Sequence, residues 1–156
     1  CVSVPDGVET VDGFELNRFL GKWYEIARFD HSFGRGLEKV TAEYSMRDDG
    51  GVKVLNRGFN PVRKQWSEAE GRAYFAGDSK KGELKVSFFG PFFGAYNIID
   101  LDKAGYTYML VCGHDRSYLW ILARSPKPDR EIVDRLVLKA ALLGFDTSKL
   151  IFVKQE

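Results

Sequence analysis

Gly21-Lys22-Trp23-Tyr24-Glu25-Ile26-Ala27-Arg28 decides how the rest of this chain is read. It follows a short apolar lead-in, Phe14 to Leu20, and opens a long series of strand-like segments. In an extended chain alternate side chains point to opposite faces. Trp23, Glu25 and Ala27 then share one face, and Lys22, Tyr24, Ile26 and Arg28 the other. Gly21 permits a sharp backbone turn and leaves room for the indole. A Trp at the start of a first strand suits a plug at the bottom of a barrel, if the chain also supplies further strands, a closing strand and a partner for that indole.

Working outward, Asp30 to Glu38 is longer than a tight hairpin needs, which points to a lid or binding loop. Alternating segments follow at Lys39 to Met46, Val52 to Phe59, Trp66 to Phe75, Glu83 to Phe89, Ala95 to Leu101, Tyr106 to Cys112 and Tyr118 to Arg124. Turn residues such as Asp48-Asp49-Gly50-Gly51, Asn60-Pro61 and Gly90-Pro91 separate them. With the first strand this makes eight, without a helix between them, the pattern of an antiparallel up-and-down barrel or a sandwich. A single helix follows, started by Pro128 and Asp129 and ended by Gly144. Its stripe of Ile132, Val133, Leu136, Val137, Ala140 and Leu143 should pack outside the sheet. Ile151 to Lys154 reads as a short last strand.

At 156 residues the chain is long enough to bury a core as one domain, and 44% hydrophobic with 14% aromatic content excludes disorder. A net charge of +1 gives no electrostatic case for nucleic acid. The apolar run from Phe88 to Ile99 is broken by Gly90, Pro91 and Gly94, so it does not read as a membrane span. Residues 1–12 read as a polar tether and 13–156 as the folded domain. Cys1 is then a candidate lipidation site, as in a bacterial lipoprotein cut just before its Cys; a meaningless chain boundary or a disulfide with Cys112 are the alternatives.

On these residues the chain resembles a lipocalin, in particular the bacterial outer-membrane lipoprotein lipocalins, from Phe14 to Lys154. Gly21-x-Trp23 resembles the family's first block, and Tyr24-Glu25-Ile26-Ala27-Arg28 its bacterial form. Asp102 with Tyr106 resembles the second block loosely, since Leu101-Asp102-Lys103 stands where Thr-Asp-Tyr is usual. Arg124 resembles the third, and Phe88-Phe89-Gly90-Pro91-Phe92 and Val111-Cys112-Gly113 are similar to the bacterial branch. The resemblance implies an all-β, eight-stranded antiparallel up-and-down barrel with one helix outside. It implies non-covalent binding, storage or transport of fatty acids or (lyso)phospholipids, without a cofactor or catalysis. It also implies a lipid-anchored, periplasm-facing place on the outer membrane, helped by Val2 rather than Asp after Cys1.

In such a barrel the first and last strands pair, which sets Arg124 over Trp23 at the closed end, with Gly21 beside them. These are expected to seal the container without touching its contents. Small residues on the inward face of Trp66 to Phe75 leave space for a ligand. Trp120 should project into the cavity at mid-depth as the best single contact. Ala42, Tyr44, Val54, Asn56, Ala69, Leu84, Val86, Phe88, Tyr96, Ile98, Leu110 and Leu122 are the expected remaining walls, and Phe92, from the rim, is expected to contact the ligand as well. Glu25 should face inward and meet Arg124, a Tyr hydroxyl or water.

The mouth loops would be Asp30 to Glu38, Asn60 to Gln65, Phe89 to Phe93 and Gly113 to Ser117. Phe89, Phe92 and Phe93 either pack on the rim or contact lipid or a membrane surface. Arg35, Arg63, Lys64, His114 and Arg116 share that rim and could meet an anionic headgroup. Two rival classes stay open: an envelope interaction protein using the Phe-rich rim, and a lipocalin-fold enzyme using Cys112 and His114. His31 and His114 offer too few ligands for a metal. A homodimer sharing one mouth also stays open.

Overall fold

The computed structural model describes residues 2–31 and 34–156. The candidate lipidation site Cys1 lies outside the described residues. The strands are β1 (Gly21–Arg28), β2 (Glu38–Met46), β3 (Val52–Asn60), β4 (Gln65–Phe75), β5 (Glu83–Phe89), β6 (Phe92–Leu101), β7 (Tyr108–Cys112), β8 (Leu119–Ala123) and β9 (Ile151–Phe152). Every neighbouring pair is antiparallel, and β1 pairs with both β2 and β8, so the first eight strands close into a barrel. β2 pairs β1 only along Gly21 to Tyr24, and β9 takes up Ala27 and Arg28 where β2 has peeled away. Gln155 staples that gap, its Nε2 donating to the carbonyls of Glu25 (2.6 Å) and Val40 (3.0 Å).

The barrel wall separates two cores. Inside, Trp23, Tyr44, Val54, Leu84, Ile98, Met109 and Val111 pack with Phe14 and Phe19. Outside, Ala27, Leu110, Cys112, Ile121 and Ala123 pack against helix α2 (Arg130–Leu142), which buries Leu136 and Ala140 completely. The helical period that places Ile132, Val133, Leu136, Val137 and Ala140 on one side is what seats it there.

Three features differ from the sequence reading. A four-residue helix, α1 (Leu16–Phe19), precedes β1, and it brings Phe19 under the barrel floor. Phe92 and Phe93 belong to β6, because Gly90 and Pro91 alone make the β5–β6 turn. The segment expected as a tether is docked from Ser3 onward. Asn97 Nδ2 donates to Ser3 O (2.8 Å), Val11 N to Ile98 O (3.0 Å), Gly82 N to Val11 O (2.9 Å) and Phe14 N to Lys80 O (2.9 Å). Val8 and Thr10 are buried, and Thr10 Oγ1 donates to Glu83 (2.6 Å). Backbone bonding to a sheet holds this strap where composition alone reads a polar leader.

Candidate functional site

The closed end is built around Trp23, which is 0% exposed and donates Nε1–H to Phe19 O at 2.8 Å. The Arg124 guanidinium lies 3.9 Å from the centre of the Trp23 ring. It also donates to the carbonyls of Lys22 (3.0 Å), Arg18 (2.8 Å), Phe19 (3.1 Å), Leu20 (3.0 Å) and Tyr106 (3.1 Å). One rigid planar donor fork thus satisfies the carbonyls at the end of α1 and the start of β1 together. Gly21 is required here: it adopts φ +107°, and a Cβ would stand 3.2 Å from Arg124 Nη1. Tyr106 accepts from Glu15 N (2.9 Å) under the Arg18 guanidinium, and Asp102 caps the adjoining turn by accepting from Gly105 N and Thr107 N. The closed end is a polar lock over an aromatic plug.

Above it lies a cavity of about 840 Å³, within the range of small-molecule sites. Phe19 contributes to its lining, and Ala42, Tyr44, Val54, Asn56, Ala69, Leu84, Val86, Phe88, Tyr96, Trp120 and Leu122 form walls, as does Ala73. The space exists because Ala42, Ala69 and Ala73 present methyl groups where larger residues would fill the interior. Gly71 serves the same wall differently: a Cβ there would meet Ser87 O at 2.6 Å and the Phe88 ring at 2.8 Å. Its absence lets β5 approach and tilt Phe88 into the cavity.

Three of the expected contacts stand elsewhere. Leu110 faces the helix side, because Met109 and Val111 hold the inward positions of β7; with both faces apolar, alternation does not reveal which set is inside. Ile98 is fully buried in the packed interior and does not line the cavity. Phe92 is 77% exposed at the rim, outside the lining. Trp120 is the second residue of β8 from the mouth, so it sits in the upper cavity rather than at mid-depth. Its ring stacks on Tyr118 (6.1 Å, 15°) and meets the edge of His31 (5.9 Å, 63°).

Glu25 faces inward, and its partner is Arg28 at 3.2 Å rather than Arg124. A bulge between Glu25 and Ala27 inserts one residue into β1 against β8 and returns Arg28 to the interior side. Strict alternation had set the two on opposite faces. Burial pushes the Glu25 carboxyl up to about 7, outweighing the pull of Arg28. Arg28 Nη2 also donates to Gly34 O, which ties the β1–β2 loop to the barrel. His31 Nδ1 accepts from Gly34 N (3.1 Å), so the neutral ring carries its proton on Nε2, which has no hydrogen-bond partner among the described residues. Burial, reinforced by Arg28, lowers the His31 pKa and keeps it neutral. Deeper, Tyr44 and Tyr96 share a hydroxyl–hydroxyl hydrogen bond of 2.9 Å, and burial raises both phenols. The cavity is therefore apolar with a few fixed polar handles.

Cys112 is a free thiol, 0% exposed on the helix side, and burial pushes it up to about 12. A thiol so held is protonated at neutral pH and shielded from substrate. His114 pairs instead with Asp115 at 3.2 Å. No cluster of three or more His, Cys, Asp or Glu suited to a metal occurs among the described residues.

The lipocalin-like domain family matches residues 14–155. The outer membrane lipoprotein Blc of Vibrio cholerae is 52% identical over 156 residues, covering 100% of this chain and 91% of that protein. Its namesake in Escherichia coli K12 is 56% identical over 151 residues, covering 97% and 85%. Among solved structures, insecticyanin of the tobacco hornworm Manduca sexta aligns with a TM-score of 0.77 at 22% identity, over 99% of this chain and 87% of that one, a likeness that bears on the fold. A closed eight-stranded barrel, an Arg-over-Trp closure and these matches agree: the chain belongs to the lipocalin family.

Proposed function

We propose that this protein carries one fatty acid or lysophospholipid non-covalently within its barrel, at the outer membrane of a bacterial envelope, held there by acyl chains on Cys1. The observation that carries the reading is the apolar cavity of about 840 Å³, open at one end. Each methylene buried there would contribute roughly 0.8 kcal/mol. Relatives at 52% and 56% identity that bear the name outer membrane lipoprotein support the location and the anchor. In this arrangement the tail lies among Ala42, Val54, Ala69, Leu84, Val86 and Leu122, beneath Trp120. The headgroup stays near His31, whose Nε2–H can donate to a carboxylate or phosphate oxygen.

No covalent step is needed: uptake follows from desolvating the tail, and release from returning it to another apolar host. The buried, protonated Cys112 offers no nucleophile for an enzymatic alternative. Gentle extraction followed by native mass spectrometry tests the proposal, with a co-purifying lipid expected. A fatty acid or lysophospholipid should change Trp120 fluorescence, and Trp120→Ala should weaken binding. An empty barrel whose affinity ignores Trp120→Ala would overturn the assignment.

A further inference from the structure

The floor of the cavity is polar where a store for plain hydrocarbon would be apolar. Tyr44 stands opposite Gly21 in the β1–β2 register, level with the Arg124–Trp23 closure, and Tyr96 stands opposite Leu84 of β5. Both line the cavity. Tyr44 is 5% exposed, and the two hydroxyl oxygens lie 2.9 Å apart. Packing fixes both rings: the centre of Phe19 lies 4.5 Å from that of Tyr44, and Phe19 meets Tyr96 edge-on at 6.3 Å. The tyrosine rings meet each other at 6.2 Å and 73°. A change of rotamer at either tyrosine would break this aromatic cluster.

Each phenol brings one donor proton, and a single hydroxyl–hydroxyl bond uses one of the two. Whichever tyrosine accepts keeps a proton that has no acceptor among the described residues. Glu25 acts on both phenols through its charge, but its carboxylate is engaged by Arg28 and bonds neither hydroxyl. Burial raises both phenols, so both remain protonated donors at any working pH. Asn56 pairs with Ala42, two residues along β2 from Tyr44, which sets it roughly 6.6–6.8 Å nearer the mouth. It lines the cavity, and its side-chain amide makes no hydrogen bond among the described residues. An apolar chain end that fills the floor excludes water and strands the spare phenol proton as an unmet buried donor. A chain end bearing oxygen accepts that proton instead. A carboxylate is disfavoured there, because it would bury a second acid near Glu25, whereas a hydroxyl or keto oxygen carries no charge.

We infer that Tyr44 and Tyr96 form a second polar subsite, at the closed end of the cavity, for an uncharged hydroxyl or keto oxygen at the inner end of an acyl chain. This rests on the reading that the tail enters the barrel while the headgroup stays at the mouth. It adds a preference among tails: an oxygenated chain end over a plain one of the same length.

The test titrates delipidated protein with palmitic acid and with its ω-hydroxy derivative, in the parent and in a Tyr44→Phe/Tyr96→Phe double variant. Removing both hydroxyls together leaves no orphaned partner, and urea melts report whether the variant is folded. In the parent, the ω-hydroxy acid should bind at least as tightly as palmitic acid. Binding weaker by the roughly tenfold or more of an unmet hydroxyl would overturn the subsite without recourse to a variant. Between the two proteins the readout is the ratio of the two affinities, which should shift about tenfold against the ω-hydroxy acid in the double variant. An unchanged ratio would overturn the subsite, and if both acids weaken together the carboxylate itself sits at the floor. Palmitic acid that fails to bind the parent would remove the tail-in-cavity reading and the subsite with it; palmitic acid that binds with an unchanged ratio removes the subsite alone.

Discussion

Filling the cavity from its own wall is the sharpest perturbation of this arrangement. Ala69 lies on β4 opposite Asn56 of β3, and its methyl group faces the open interior. Ala69→Phe projects a six-carbon ring into that space. If the ring displaces about four methylenes of a bound tail, each worth roughly 0.8 kcal/mol, affinity falls by about 3 kcal/mol, or roughly a hundredfold. Because the space is open, the ring should enter with little of the strain that overpacking causes in a filled core. Lys53→Phe is the matched control: it adds the same ring to the outer face of β3 and removes only an exposed pair with Glu70. Calorimetric titration of both variants with a long-chain fatty acid, with urea melts alongside, separates binding from stability. Equal affinity for Ala69→Phe and the parent would place the tail somewhere other than this cavity.

Arg124→Ala removes the donor fork from five carbonyls and uncovers Trp23; a loss of about 3 kcal/mol in urea unfolding is expected, about 6–12 °C in Tm for a domain of this size. A change within about 0.5 kcal/mol, typical of a surface site, would contradict the lock. Glu25 titrates higher in the folded protein than in the unfolded chain, so the native state holds more protons between pH 4.5 and 7, and stability should fall as pH rises through that window. Glu25→Gln should flatten that slope; an unchanged pH profile would show that Glu25 is not its source.

The barrel was legible in the sequence because its cause is local. Alternation at Lys39 to Met46 or Val52 to Phe59 and glycine-rich turns between them are readable residue by residue, and the Arg124–Trp23 meeting follows from pairing the first strand with the last. What stayed hidden depends on events that alternation does not encode. One bulged residue near Ile26 moved Arg28 to the Glu25 side. Leu110 and Cys112 sit in a strand apolar on both faces, where only the position of α2 decides which side is out. The strap from Ser3 to Phe14 looks like a leader because much of its hold comes from its own backbone groups, which bond to the sheet and to the Asn97 and Arg116 side chains and which its residue types do not reveal. Phe92 was expected at the rim and stands there, but as the exposed first residue of a strand rather than as a cavity contact.

The central claim is that a hydrocarbon tail lies in the cavity, and a chain-length series addresses it most directly. Saturated fatty acids of increasing length, titrated into delipidated protein, should gain affinity about fourfold per methylene. The gain should stop once about 840 Å³ is filled, and Ala69→Phe should bring that break to a shorter chain. Affinity independent of chain length, or a break that Ala69→Phe does not move, would contradict it.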